Sequence, residues 1–165
     1  MKINRKVIVG VLAAGSIIGG VAWATPIFNL VIPVLATGNH SGDIEATGAF
    51  AANGGEFRAF MKTEGPSTVL VQDGAFGPGG STGWHSHPGI LALTLASGSL
   101  DWYDGECKKT SYKAGDAWTE GSQLHDFKVT STTNIHLLVT YIIAQGAASR
   151  IDEPAPPCAA ALGLE

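Results

Sequence analysis

Apolar and polar residues alternate with a period of two over much of this chain. In "GILALTLAS", Leu91, Leu93 and Leu95 share one side and Ala92 and Thr94 the other; in "HDFKVTS", His125, Phe127 and Val129 oppose Asp126, Lys128 and Thr130. That period marks an extended strand with one face turned inward. Runs of this kind, bounded by glycine, proline and other turn residues, predict strands near 44–50, 55–62, 67–76, 81–86, 90–96, 99–103, 108–113, 116–119, 125–131 and 134–143. Helical periodicity is sustained nowhere beyond the N-terminus. Twenty-two glycines, eight prolines and a charged fraction of 15% agree with an all-β domain. Many short antiparallel strands with glycine-rich turns predict a closed or sandwiched barrel, placed over 44–146, whose interior can house a site. At 165 residues there is room for one core.

The first 24 residues read as a separate object. "MKINRK" is basic, "VIVGVLAAGSIIGGV" is apolar, and Ala22 and Ala24 stand before Thr25 and Pro26, the three parts of a secretory signal peptide. An uncleaved membrane anchor is the alternative, since no charge occurs between Lys6 and Asp43; Pro26, Asn29 and Pro33 interrupt such a helix and favour cleavage. Residues 25–43 are then an extended lead segment or an edge strand. Loss of the leader removes Lys2, Arg5 and Lys6 and no acid, so the formal charge of −4 becomes more negative. An acidic protein without a basic stripe is no partner for nucleic acid, and a membrane enters only if the leader is retained.

Two cysteines in an exported chain predict a bridge rather than a catalytic pair, with two unrelated buried thiols as the alternative. Cys107 lies in the turn-like "YDGECKK" and Cys158 in the Pro/Ala-rich tail, 147–165, so a bond between them ties that tail to the body.

The sharpest chemistry is in "GGSTGWHSHPG", residues 79–89. On a strand, residues i and i+2 project from one face, and two imidazoles so placed can each bring a nitrogen to about 2.1 Å from one ion. His85 and His87 have that spacing, and His125, on an inward face of a distant strand, is the third candidate. His136 is a weaker candidate, because it shares its face with Leu138, Thr140 and Ile142 and a hydrogen-bonded packing residue explains it equally well; His40 reads as exposed. An isolated H-x-H pair is a weak signal, and its context decides.

That context resembles the cupin superfamily. "GGSTGWHSHPGILALTLASG" resembles the first cupin motif, G-x5-H-x-H-x(3,4)-E-x6-G, with Gly79, His85, His87 and Gly98 in register and no glutamate: its place falls on Leu91, or on Ala92 in the longer spacing. "GDAWTEGSQLHDFKVTSTTN" is similar to the second motif through Gly115, Asp116 and His125, with its proline and second glycine absent, one residue missing before His125, and Val129 in place of asparagine. The resemblance covers about residues 67–145 and extends to small secreted bacterial cupins. It implies a double-stranded β-helix (jelly-roll) barrel, a divalent transition metal (Fe, Zn or Mn) held by His85, His87 and His125, a small-molecule ligand, and pairing of two copies through strand edges.

A site of three neutral imidazoles leaves the ionic charge uncompensated and coordination positions open, so a small anionic ligand would supply the missing charge. Iron there would suit oxygen-using chemistry, and zinc a polarised carbonyl or bound water. Gln123 and Glu120, on the approach to His125, are candidates for supporting partners or an acid/base, and turn-exposed polar residues explain them equally well. Trp84 and Leu91 are expected in the pocket wall; Trp118, Tyr103 and Tyr141 are divided between wall and core. Two readings follow, a metal-dependent enzyme and a non-catalytic binding or structural barrel, with a barrel that has lost its metal as a third.

Overall fold

The computed structural model describes residues 30–52 and 55–164, so the leader read over residues 1–24 lies outside the described residues. Among the described residues thirteen strands carry the fold: β1 (Leu30–Val31), β2 (Val34–His40), β3 (Glu45–Ala52), β4 (Gly55–Lys62), β5 (Ser67–Phe76), β6 (His85–Ser86), β7 (Gly89–Ser97), β8 (Ser99–Asp104), β9 (Lys109–Lys113), β10 (Ala117–Glu120), β11 (His125–Val129), β12 (Ile135–Ala144) and β13 (Ile151–Asp152). One sheet runs β1-β5-β12-β7-β10, with β2 also paired to β5; the second runs β13-β6-β11-β8-β9; β3 and β4 form a hairpin of their own. The paired strands are antiparallel throughout. This is the all-β architecture that the alternating pattern predicts, and among the described residues no helix is long and apolar enough to cross a membrane.

The core lies between the two main sheets. From the first come Leu91, Leu93 and Leu95 of β7 and Ile135, Leu137, Val139, Tyr141 and Ile143 of β12; from the second come Leu100, Phe127 and Val129. Their period of two is the sequence alternation made physical: each second residue leaves water, at roughly 1.5–3 kcal/mol per large side chain. His136 falls on the opposite, exposed face of β12 with Asp73 beside its Nδ1, at 3.3 Å.

The β7–β8 turn depends on Gly98. Its φ is +82°, and a Cβ there would sit 2.5 Å from Ile135 Cγ2 and 2.9 Å from Ser131 Oγ. Gly98→Ala is therefore expected to destabilise the fold by about 2–4 kcal/mol, combining left-handed strain with a clash against a buried isoleucine. Urea unfolding checks this as a lowered midpoint at unchanged slope; a loss below about 1 kcal/mol would show that the turn rearranges freely.

The C-terminal tail is part of the domain. Cys107 and Cys158 are bonded across a sequence separation of 51, β13 pairs with β6, and Trp84 Nε1 donates to the Leu164 carbonyl at 2.7 Å. Trp84, expected in the pocket wall, instead forms a second small core with Ala159 and Leu164. Strand alternation is the reason: with His85 facing inward, its neighbour faces the other way, where the tail covers it.

Candidate metal centre

Four side chains from separate segments meet inside the barrel. His85 comes from β6, His87 from the turn that follows, His125 from β11 and Glu120 from the end of β10. His125 is the cross-strand partner of His85, and β10 is laid against β7 so that Glu120 stands opposite Leu91. One ligand atom from each of the four lies within 4.8 Å of the others. All four residues are buried.

Backbone carbonyls fix the imidazoles. His85 Nδ1 donates to the Gly83 carbonyl at 2.7 Å, His87 Nδ1 to that of Ser149 at 2.7 Å, and His125 Nδ1 to that of Gln123 at 2.8 Å. A carbonyl oxygen only accepts, so Nδ1 carries the hydrogen in each ring and the neutral imidazole presents its lone pair at Nε2. His87 Nε2 and His125 Nε2 are buried without a hydrogen bond, although Glu120 Oε2 lies 3.5 and 3.2 Å from them. The other carboxylate oxygen is clamped: Trp102 Nε1 and Trp118 Nε1 each donate to Glu120 Oε1 at 2.9 Å. Two indoles thus aim the carboxylate, with Oε2 toward the rings.

The electrostatics follow from burial and mutual proximity. Burial, then the neighbouring histidines and Arg150, push His85 down to about 2, so it stays neutral. Burial works against ionisation of Glu120, but the facing imidazoles outweigh it and hold the carboxyl well below the usual range. For His125, burial favours the neutral ring and Glu120 outweighs it, raising its pKa. Burial, reinforced by Glu120, pushes Tyr141 up to about 12, so its hydroxyl keeps its proton beside the site.

Several expectations are corrected here. The site does contain a carboxylate, and Glu120 is neither a turn-exposed residue nor a distant supporting one: its Oε2 belongs to the donor cluster itself. The place vacated at Leu91 is filled from the adjacent strand, a relation that only the β7–β10 register reveals. Gln123 is exposed, and its part is played by its backbone carbonyl on His125. Leu91 lines the cavity beside the cluster. Asp126, read as an outward residue, is buried under the 81–84 loop and accepts from Ser81 Oγ at 2.8 Å and Thr82 Oγ1 at 2.9 Å. His40 and His136 are exposed and take no part.

The H-x-H segment is thus joined to the strand of His125 by the His85–His125 pairing, within one of two antiparallel sheets. Two antiparallel sheets with the histidines between them are the arrangement that the resemblance to cupins implies. No family model and no curated protein matches the chain. Among solved structures it is similar to a double-stranded β-helix protein from Klebsiella pneumoniae (26% identity, TM-score 0.43, covering 53% of this chain and 75% of that one). It is also similar to a cupin domain from Bordetella pertussis (21%, 0.41, 63% and 96%) and a cupin-like protein from Thermotoga maritima (20%, 0.44, 53% and 65%).

Proposed function

We propose that this protein is exported, binds one divalent transition metal ion through His85, His87, His125 and Glu120, and acts with it on a small anionic molecule. The observation that carries the reading is the set of three Nδ1–carbonyl bonds. With Nδ1 so engaged, each ring in its neutral form offers its lone pair at Nε2 beside the same buried carboxylate, a grouping of ligand atoms that a bound cation would satisfy. Imidazole and carboxylate together suit Fe, Mn or Zn. The disulfide supports an oxidising compartment.

A bound ion would supply Lewis acidity and open coordination positions, while the chain supplies the surroundings. Glu120 offsets one of two ionic charges and the two indoles keep it from turning away. The cavity next to the cluster, about 120 Å³ in volume, has Phe76, Leu93, Phe127, Leu137 and Val139 as its apolar wall. Tyr141, protonated at any physiological pH, lines the same cavity as a neutral donor.

The fourth ligand also supports a second reading. Three histidines and a carboxylate complete a tetrahedral zinc site with nothing left open, in which case the ion braces the barrel; a six-coordinate iron or manganese ion keeps two positions for chemistry. Elemental analysis separates them. Purified protein is expected to carry about one ion per chain, and His87→Ala to lose it while keeping a folded barrel. Metal-free wild type of undiminished stability, unable to take up Fe, Mn or Zn, would sink the proposal.

A further inference from the structure

Arg150 is a cation that the metal cluster does not use. It lines the same cavity as His85, His87 and Glu120. Its side chain is 19% exposed, its Nε donates to Asp152 at the surface, and its Nη2 is buried with no hydrogen-bond partner. Its charge stands close enough to His85 and His125 to oppose their protonation. A buried guanidinium nitrogen without an acceptor is unfavourable, and the Asp152 carboxylate on Nε leaves Nη2 unsatisfied.

We infer that Arg150 is the anion-binding residue of the cavity and that the ligand it selects is a small carboxylate, held with one oxygen toward the metal cluster and the other on Nη2. The inference rests on the metal reading above for the first contact and on Arg150 alone for the second. Charge supports it: a divalent ion with Glu120 leaves one positive charge, and Arg150, paired with Asp152 on its Nε side, still offers Nη2 as a charged donor in the same cavity. Shape supports it too, because a carboxylate spreads its charge over two oxygens and can satisfy two positive groups at once, whereas an alcohol or amide cannot. The apolar wall formed by Phe76, Leu93 and Leu137 suits a short hydrocarbon remainder, and the volume of about 120 Å³ admits only a few heavy atoms.

The backbone of the same tail segment holds the metal site, since the Ser149 carbonyl accepts from His87 Nδ1. Arg150 is thereby tied in position to the cluster, and Asp152, the cross-strand partner of His85, fixes the other side of its guanidinium.

Calorimetric titration of the full chain with acetate, and with acetamide as its uncharged counterpart, tests the inference, with metal content measured on every sample. Wild type is expected to bind acetate saturably and acetamide not at all. Arg150→Met, which keeps the apolar stem, should lose at least about 10-fold in acetate affinity at unchanged metal content, and Arg150→Lys should lie between. Wild-type affinity in Arg150→Met, or equal binding of acetamide, overturns the inference. Metal lost from Arg150→Met would make the residue a brace of the cluster instead, and would also overturn it. If the wild type holds no metal, the metal reading falls separately, and titration of that protein still decides: acetate binding abolished by Arg150→Met upholds the inference, and no binding ends it.

Discussion

Glu120→Gln is expected to abolish metal binding while leaving the metal-free protein at least as stable as the wild type. Trp102 and Trp118 donate to Oε1, so the amide that replaces the carboxylate must keep its carbonyl oxygen there. Its NH2 then occupies the place of Oε2, facing His87 Nε2 and His125 Nε2, which lie 3.5 and 3.2 Å from that oxygen. Two lone pairs now meet two N–H hydrogens, and a buried charge has gone. Such a pairing satisfies the donors that the wild type leaves to an ion. Loss of an outer partner of a metal ligand costs roughly 10–100-fold in affinity, and loss of a charged ligand should exceed about 100-fold. Chelator competition measures the affinity and thermal unfolding of chelator-treated samples the stability. Unchanged metal affinity in Glu120→Gln would remove Glu120 from the site.

The same cluster dictates how the metal-free protein responds to pH. His125 has a folded pKa raised above 6.5, with burial opposing and Glu120 prevailing, so its contribution is fully present below 6.5 and is lost as pH rises through the folded value. Glu120 has a folded pKa depressed below 4.5, burial again opposing and the imidazoles prevailing; its contribution is present above 4.5 and lost as pH falls through the folded value. Stripped of metal, the wild type is expected to be most stable between those two values and to weaken on the alkaline side, where Glu120→Gln should stay flat. Uptake of an ion must displace the His125 proton, so apparent affinity should rise with pH over the alkaline flank and then level off. Unfolding temperatures across pH, with and without metal, check the sign; a metal-free wild type that gains stability above neutrality would contradict it.

Much of this was legible in the sequence because strand alternation is local. The inward faces of Leu91, Leu93 and Leu95 and of His125, Phe127 and Val129 follow from a period of two, and the H-x-H spacing puts two rings on one side of one segment. Glu120 was legible as a neighbour of His125 but not as a ligand, for the converse reason. Its meaning depends on which strand lies beside β7 and in what register, and a shift of one residue would send the carboxylate to the other face. Asp126 misled because alternation assigns a face and not what covers it; the hydroxyls of Ser81 and Thr82 make its burial tolerable. Arg150 carried no signal at all in a tail that read as a tether. Only the pairing of β13 with β6 brings it to the cavity.

Removing the disulfide with Cys107→Ser and Cys158→Ser is expected to cost about 4 kcal/mol of stability and to weaken metal binding as well. The first effect is chain entropy: a loop spanning a separation of 51 residues is set free in the unfolded state. The second runs through the tail. Cys158 anchors the segment that covers Trp84, whose Nε1 holds the Leu164 carbonyl and whose own carbonyl accepts from Glu153 N at 3.0 Å. Ser86 Oγ donates to Glu153 at 3.1 Å, and the Ser149 carbonyl just upstream fixes the tautomer and direction of His87. With the bond gone the tail opens more often than the barrel does, because few apolar contacts hold it, and His87 then loses the partner that commits its lone pair to the ion. Metal affinity should fall by roughly 10–100-fold, as it does when an outer partner of a ligand is removed. Urea unfolding and chelator competition on the same samples separate the two effects. A stability loss with metal affinity intact would show that β13 and the Trp84 contacts alone hold Ser149 in place, and that the bond serves the fold without reaching the site.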